Sequence, residues 1–108
     1  MNVIFDRSDD GQKARAVRLM RELIAECAAE GFGEYRTHLL FADQVARTYG
    51  WNNQALMRFN ETMKDALDPN GILAPGRNGI WPKRFRGKGW ELGKEDVDMK
   101  VIGPRAKL

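Results

Sequence analysis

The sequence is poor in residues that crosslink a chain or bind metals. It has one cysteine, Cys27, and one histidine, His38. A single cysteine excludes an internal disulfide, and with it the class of small secreted proteins that disulfides hold together. One cysteine and one histidine on different predicted elements do not form a metal-ligand pattern, so we predict no metal site. Cys27 lies on a predicted apolar helix face, where a thiol usually contributes packing rather than chemistry.

Long apolar runs and nucleotide-binding glycine motifs are also missing. No stretch approaches the length of a membrane-spanning helix, and residues 1–10 lack the basic region and apolar run of a signal peptide. We therefore expect no membrane attachment and a cytoplasmic location, with the periplasm as the alternative. Neither the P-loop nor the dinucleotide fingerprint is present, because Gly71, Gly76 and Gly79 do not lie between a strand and the start of a helix.

The composition is that of one small globular domain. Apolar residues make up 43% of the chain and charged residues 31%, which argues against general disorder and fibrous classes. A domain of 108 residues buries roughly two thirds of the surface that its unfolded chain exposes, so there is room for one modest core. The net charge of +3 favours anionic partners only slightly.

The pattern of apolar residues predicts an α+β fold with one strand and about three helices. Residues 1–5 predict a short N-terminal strand that finds no partner elsewhere in the chain. An apolar stripe that starts at Asp9 or Asp10 and stops at Gly31 predicts a first helix over residues 10–30.

Two further helices are predicted. Three apolar residues that recur every fourth position before Gly50 indicate a short second helix, namely Phe41, Val45 and Tyr49. The third helix is predicted to begin with Asn52 or Asn53 as its N-cap and to stop before Pro69. Its apolar face consists of Leu56, Phe59, Met63 and Leu67.

The segment 68–82, DPNGILAPGRNGIWP, combines turn residues with large apolar side chains. Its Asp, Pro and Gly at the first, second and fourth positions are typical of a type I turn, and the PG and NG pairs favour positive φ. We expect a rigid, ordered loop, because four of its side chains are costly to leave in water: Ile72, Leu73, Ile80 and Trp81. Residues 1–82 are interpreted as the folded segment and residues 83–108 as a basic, mostly irregular tail.

The start of that tail, KRFRGKGW at residues 83–90, interleaves four cations with two aromatic residues. This composition suits a segment that follows phosphates and stacks on bases. A solvated tail is the more common explanation of so short a run, so a nucleic-acid binder is a rival interpretation that we do not favour.

The motif GEYRTH places Tyr35, Arg36 and His38 together after the first helix. In a structural interpretation, Tyr35 packs its ring in the core and Arg36 pairs with Glu34 or Asp43 at the surface. In a functional interpretation, the phenol donor and the cation stabilise an oxyanion, such as the phenolate of a bound substrate. Residue types alone favour the structural interpretation, and we interpret His38 as a hydrogen-bonded structural residue rather than one that orients the pair.

The motifs GEYRTH and DPNGILAPGRNGIWP, with WNNQALMRFNETMKDALDPNG between them, resemble the C-terminal end of one flavoprotein family. This is the vanillyl-alcohol oxidase and p-cresol methylhydroxylase family, which includes the eugenol oxidases. The likeness covers about residues 1–92. DPNGIL followed by PG resembles FAD-linked oxidases in general, whereas GEYRTH resembles the branch that oxidises para-substituted phenols. The resemblance implies a C-terminal fragment of the substrate (cap) domain of an FAD-linked oxidase.

The resemblance also implies a two-electron oxidation with FAD as cofactor. A 4-alkyl or 4-hydroxybenzyl phenol would bind as its phenolate and pass a hydride from its benzylic carbon to the flavin, leaving a quinone methide. Tyr35 and Arg36 would contact the phenolic oxygen as substrate-binding and catalytic residues, and would lower the pKa of the phenol. Arg77 would lie near N1 and the C2 carbonyl of the flavin. Gly76 beside it would let the backbone approach the ring closely.

The same resemblance implies that much of the enzyme lies outside these residues. The FAD-binding domain of the family lies upstream, as does the residue that carries a covalent flavin bond in many members, and His38 is not that residue. We expect a fragment, a split-gene product or one piece of a two-chain enzyme, inactive alone. Its partners would be a phenolic small molecule and an FAD-binding domain or subunit, with oxygen or a cytochrome c subunit as electron acceptor and a homo-oligomer as the complete enzyme. The rival of another class is a non-catalytic module that dimerises through its strand and helix face.

Overall fold

The computed structural model describes residues 3–92 and shows three α-helices. Helix α1 spans Asp10–Ala29, α2 spans Ala42–Thr48 and α3 spans Trp51–Leu67. Two single 3₁₀ turns, Leu39–Phe41 and Arg77–Gly79, lie before α2 and in the loop after α3. The three predicted helices are therefore confirmed, and their bounds lie close to those that the apolar pattern indicated.

The predicted N-terminal strand is wrong for the described residues, which contain no strand, so the α+β class is replaced by an all-helical one between residues 3 and 92. Residues 3–6 are irregular, and Ile4 is 95% exposed. The backbone N–H of Asp6 donates to Oε1 of Gln12 at 3.1 Å instead of to a neighbouring strand. A β-rich run forms a strand only where a partner supplies the other half of the hydrogen-bond ladder, and none lies in this region.

Helix α1 begins and ends where local signals place it. Asp9 is the N-cap, and its Oδ1 accepts from the backbone N–H of Gln12 at 3.0 Å. The helix ends before Gly31, whose φ of +86° suits a residue without a Cβ. Cys27 is exposed, so its interpretation as a packing residue is wrong.

The core is small and lies between α1 and α2. Arg21 and Gln44 reinforce it at its edge: Nε2 of Gln44 donates to the carbonyl of Arg21 at 2.8 Å, and Nη1 of Arg21 donates back to Oε1 of Gln44 at 3.0 Å. The buried cluster consists of Val17, Ile24, Phe41 and Val45, with Met20 and Leu40 packed against it. This contact fixes α2, the element on which the candidate site is built.

Helix α3 contributes no buried residue. Its predicted apolar face is largely open to solvent, with Phe59 62% and Leu67 73% exposed. The predicted cap is also wrong, because the helix begins at Trp51 without a side-chain cap, and Asn52 and Asn53 take positive φ in its first turn. The apolar period thus predicted the helix correctly, but this chain provides little to cover it.

The loop after α3 is ordered by hydrogen bonds more than by burial. Gly71 N–H donates to the Asp68 carbonyl at 2.9 Å, as the predicted turn requires, and the Asp68 carboxylate accepts from the backbone N–H groups of Ile72 and Leu73. Ile72 and Leu73 are 71% and 64% exposed, so their predicted burial is wrong, whereas Ile80 and Trp81 are half-buried.

Residues 83–92 follow the helical body closely. Arg86 contacts the carboxylates of Asp65, at 2.6 Å, and Glu61, at 3.2 Å. The predicted boundary between a folded segment at 1–82 and a tail at 83–108 stays a prediction, since 93–108 lie outside the described residues. Between residues 3 and 92, no helix is long and apolar enough to cross a membrane.

Candidate functional site

An open cavity of about 640 Å³ brings the two sequence motifs together. Tyr35 and Arg36 line it from the segment between α1 and α2, and Arg77 lines it from the loop after α3. Helix α2 forms the floor with small and apolar side chains, and α3 contributes the opposite wall with Leu56, Met57 and Asn60. Side chains that are more than 40 residues apart in sequence thus share one concave surface.

Tyr35 does not occupy the core. Its side chain is 89% exposed, so the structural interpretation of this tyrosine fails. The guanidinium of Arg36 lies 5.5 Å from the centre of the Tyr35 ring, and among the described residues Arg36 forms no ion pair with Glu34 or Asp43. A phenol donor and a cation therefore stand side by side at the cavity.

The backbone beside Tyr35 is held by Tyr49, at the C-terminal end of α2. The hydroxyl of Tyr49 donates to the carbonyl of Glu34 at 3.0 Å. The ring lies so close to Gly33 that a Cβ there would come within 2.8 Å of the Tyr49 hydroxyl oxygen. Glycine at 33 is therefore required for this contact, and the contact fixes the residue immediately before the Tyr35–Arg36 pair.

His38 has a structural role. It caps the 3₁₀ turn Leu39–Phe41, and its Nδ1 accepts from the backbone N–H of Leu40 at 3.2 Å. This hydrogen bond agrees with the interpretation of His38 as a structural residue and places it outside the group of residues that line the cavity.

Arg77 projects from a tight turn that glycines make possible. Gly76 precedes it with φ of +78°, and its N–H donates to the carbonyl of Ile80 at 3.1 Å. Gly79 follows with φ of +73° and donates to the carbonyl of Gly76 at 3.1 Å. Two glycines with positive φ thus flank the turn of Arg77, and both lack the Cβ that would clash with the residues packed against them, Trp81 and Ala46.

Asp43 lies behind this turn and was not singled out by the sequence. The residue is 4% exposed, and both carboxylate oxygens have donors: Nε1 of Trp81 at 2.7 Å and the backbone N–H of Leu92 at 2.8 Å. No motif identifies it, because an acidic residue in the first turn of a helix is ordinarily explained by the helix dipole.

The donor set of the cavity fits an electron-rich planar group better than a metal. Two guanidinium groups and a phenol supply donors. Gly76 does not line the cavity, and it packs on the indole of Trp81. In residues 3–92 no group of three or more His, Cys, Asp or Glu side chains is placed to hold a metal ion. The cavity could therefore receive the edge of a flavin beside Arg77 and a phenolic oxygen beside Tyr35 and Arg36.

The predicted alternative at residues 83–90 has fewer available cations than its sequence suggests. Arg86 is held by Asp65 and Glu61, and Arg84 lies 4.5 Å from the centre of the Phe85 ring. Phe85 in turn packs edge-to-face with the indole of Trp90 at 5.5 Å. These contacts engage two of the four cations within the chain, although Trp90 stays 59% exposed.

Comparison with known proteins gives three consistent matches. Residues 1–78 match the family described as FAD linked oxidases, C-terminal domain. The chain is 39% identical over 80 residues to the 4-cresol dehydrogenase [hydroxylating] flavoprotein subunit of Pseudomonas putida, a match that covers 74% of this chain and 15% of that protein. The solved 4-ethylphenol oxidase from Gulosibacter chungangensis, in complex with isoeugenol, matches with 51% identity and a TM-score of 0.73, covering 76% of this chain and 16% of that one.

The chain thus spans about one sixth of the length of these relatives. FAD is the cofactor of the family that the match identifies. The resemblance inferred from GEYRTH and DPNGILAPGRNGIWP is confirmed, since the family model is that of FAD linked oxidases and the named relatives are a 4-cresol dehydrogenase flavoprotein subunit and a 4-ethylphenol oxidase. The chain belongs to the FAD linked oxidase C-terminal domain family, in the branch of vanillyl-alcohol oxidase and p-cresol methylhydroxylase.

Proposed function

We propose that this chain supplies the substrate-binding part of an FAD-dependent oxidoreductase that oxidises 4-substituted phenols. The observation that carries the proposal is the shared cavity, in which Tyr35 and Arg36 stand on one side and Arg77 on another. Both relatives named above act, by their names, on para-alkylated phenols.

Tyr35 and Arg36 bind the phenolic oxygen of the substrate. The phenol group of Tyr35 donates a hydrogen bond and the guanidinium of Arg36 adds a charge-assisted one, and both interactions strengthen as negative charge develops on the substrate oxygen. Together they favour the phenolate, which is the electron-rich form that gives up a hydride readily.

Arg77 and the Gly76 turn serve the cofactor side of the same cavity. FAD, when bound, would supply the acceptor for a hydride from the benzylic carbon of the phenolate, and loss of that hydride would convert the substrate into a quinone methide. Arg77 places a cation near the edge of the ring that becomes negatively charged, and Gly76 lets the backbone come close to the ring plane.

These residues act together with an FAD-binding region, and the 108 residues alone do not turn over substrate. The open cavity and the exposed apolar face of α3 support this proposal, because an apolar surface exposed to solvent is typical of an interface with another domain or chain. The electron acceptor is oxygen or a cytochrome c subunit, and the complete enzyme is a homo-oligomer.

Replacement of Arg36 with alanine tests the substrate assignment. In the protein assembled with its FAD-binding region, Arg36→Ala is expected to impair phenol turnover by about a hundredfold or more while flavin is retained, since a charge-assisted hydrogen bond in a site of this kind is worth about 2.7–4 kcal/mol. Arg18→Ala, at an exposed position of α1 outside the cavity, is the matched control. Equal turnover in the Arg36 and Arg18 variants would contradict the assignment.

The visible absorption spectrum and native mass of the chain purified from its own host test the assembly. The expected result is a yellow complex whose native mass is not a whole multiple of the mass of this chain, which shows that it contains a second polypeptide. A colourless species that stays colourless when FAD is added would mean that the motifs no longer perform this chemistry.

The exposed face of α3 favours one other candidate function, a non-catalytic module that dimerises through this helix. A stable symmetric dimer without affinity for flavin or for a flavoprotein partner would support that candidate over the oxidoreductase.

A further inference from the structure

The buried carboxylate of Asp43 links α2 to the loop that carries Arg77. Its Oδ1 accepts from Nε1 of Trp81 at 2.7 Å, and its Oδ2 accepts from the backbone N–H of Leu92 at 2.8 Å. A carboxylate that is 4% exposed is costly unless its oxygens are hydrogen-bonded, so these two donors are needed and determine where the group points. Trp81 is correspondingly held at one end by Asp43.

The six-membered part of the Trp81 indole, next to Nε1, lies against Gly76. A Cβ at Gly76 would come within 2.5 Å of Cη2 and 2.7 Å of Cε2 of the indole, so ring and backbone are in direct contact. The carbonyl of Trp81 is fixed as well, because Nε of Arg86 donates to it at 2.9 Å. The position of the indole therefore determines the position of the backbone immediately before Arg77.

A second contact holds the far side of the same turn on α2. A Cβ at Gly79 would lie 2.6 Å from Cβ of Ala46 and 3.4 Å from Cα of Asp43, so the turn rests directly on the helix. The side chain of Arg77 is exposed, and the backbone of this turn sets the point from which that side chain extends. The turn is anchored to α2 through Trp81 on one side and Gly79 on the other.

We propose that Asp43 is a positioning residue for Arg77, acting through Trp81 and the Gly76 turn. Removal of its carboxylate displaces Arg77 without removing any group that touches substrate or cofactor. This inference rests on the proposed function for its consequence at the flavin, but its structural half concerns the 108-residue chain alone.

Amide hydrogen exchange of the full chain tests the structural half without flavin. Asp43→Ala and Trp81→Phe are each expected to speed the exchange of the Gly79 and Ile80 amides by about tenfold relative to Ile24 in the core. Trp81→Phe removes the donor to Asp43 and part of the ring that packs on Gly76, so it weakens both contacts of Trp81 and remains informative if Asp43→Ala does not fold.

Two further variants separate positioning from general loss of stability. Asp43→Asn keeps one acceptor oxygen but turns its NH2 group toward the other N–H donor, so it is expected to restore only part of the protection. Gln44 is the adjacent residue of α2, and Gln44→Ala removes its hydrogen bonds to Arg21 of α1 without changing any contact with the loop. This variant should not speed amide exchange at Gly79 and Ile80 relative to Ile24. Unchanged exchange in both Asp43→Ala and Trp81→Phe, or an equal effect in Gln44→Ala, would overturn the inference.

The reduction potential of the flavin tests the functional half in the chain assembled with its FAD-binding region. Arg77→Met is expected to lower the potential, because the cation stabilises the anionic reduced flavin, and Asp43→Ala should lower it in the same direction by less. If the potential is lowered in Arg77→Met but unchanged in Asp43→Ala, the positioning role of Asp43 is overturned and the proposed role of Arg77 is not. No change in Arg77→Met overturns the proposed role of Arg77, whatever the exchange rates show.

Discussion

Replacement of Gly76 with alanine should destabilise the loop that carries Arg77 by about 2–5 kcal/mol, the sum of two effects. Gly76 has φ of +78°, a conformation that costs a residue with a Cβ about 1–2 kcal/mol. The new methyl group would also lie 2.5 Å from Cη2 of Trp81, and overpacking of this kind costs about 1–3 kcal/mol.

Gly31→Ala is the matched control for the conformational effect. Gly31 has φ of +86°, but a Cβ there would meet no atom within 4 Å. This variant should therefore lose only the conformational contribution, about 1–2 kcal/mol. The difference between the two variants isolates the contact between residue 76 and the indole of Trp81.

Urea titrations of the full chain measure both variants. Far-UV circular dichroism follows the helices. Tryptophan fluorescence follows the loop when all proteins carry Trp51→Phe and Trp90→Phe, because Trp81 is then the only tryptophan in the chain. If the loop detaches before the helices unfold, the two signals separate in Gly76→Ala and coincide in Gly31→Ala. A loss in Gly76→Ala that is no larger than that in Gly31→Ala would refute the packing of Trp81 under Gly76.

Three further outcomes follow from the contacts. Tyr49→Phe removes the donor to the carbonyl of Glu34 and should lower the stability of the chain by about 0.5–1.5 kcal/mol. In the assembled enzyme it should raise KM for the phenol and leave the dissociation constant of the flavin unchanged. An equal rise in that dissociation constant would contradict this prediction. The hydrogen bond from Lys64 lowers the pKa of Asp68 from 3.8 to about 2. The carboxylate therefore contributes fully to folding stability above the pKa of the unfolded chain, and this contribution is lost as the pH falls from about 4 to 2. Asp68→Asn should make the stability of the chain less dependent on pH between these two values. Phe59→Glu, on the exposed face of α3, should change the stability of the isolated chain by less than about 0.5 kcal/mol but weaken co-purification with an FAD-binding region.

The positions of the helices could be predicted from the sequence because their signals are local. The cap at Asp9, the stop at Gly31 and the buried pair Val17 and Ile24 all lie within or beside α1. The strand at residues 1–5 could not be judged in this way, because a strand depends on a partner that its own residues do not specify. The same limit applies to α3, where the apolar period predicted the helix but not the exposure of Phe59.

The candidate site was predictable only where a motif marks it. Tyr35, Arg36 and Arg77 stand in recognisable motifs, and the structure places all three around one cavity. Asp43 and Tyr49 have no such signal, because each acts through a contact with a residue distant in sequence. Supporting residues of this kind become visible only when the fold brings their partners within hydrogen-bond distance.

Helix α2 holds both halves of the candidate site, and this arrangement has a mechanical consequence. Asp43 in its first turn anchors the loop of Arg77, and Tyr49 at its C-terminal end anchors the backbone before Tyr35. The two anchors are six positions apart in sequence, which corresponds to about 9 Å along a helix, a separation that intrahelical hydrogen bonds keep constant. A change that moves α2 on α1, such as the loss of Gln44, therefore carries the two groups together. A change at either anchor instead alters the distance between the Tyr35–Arg36 pair and Arg77. Substitutions at Asp43 and Tyr49 should therefore reduce turnover by more than their effect on folding stability explains, whereas Gln44→Ala should not.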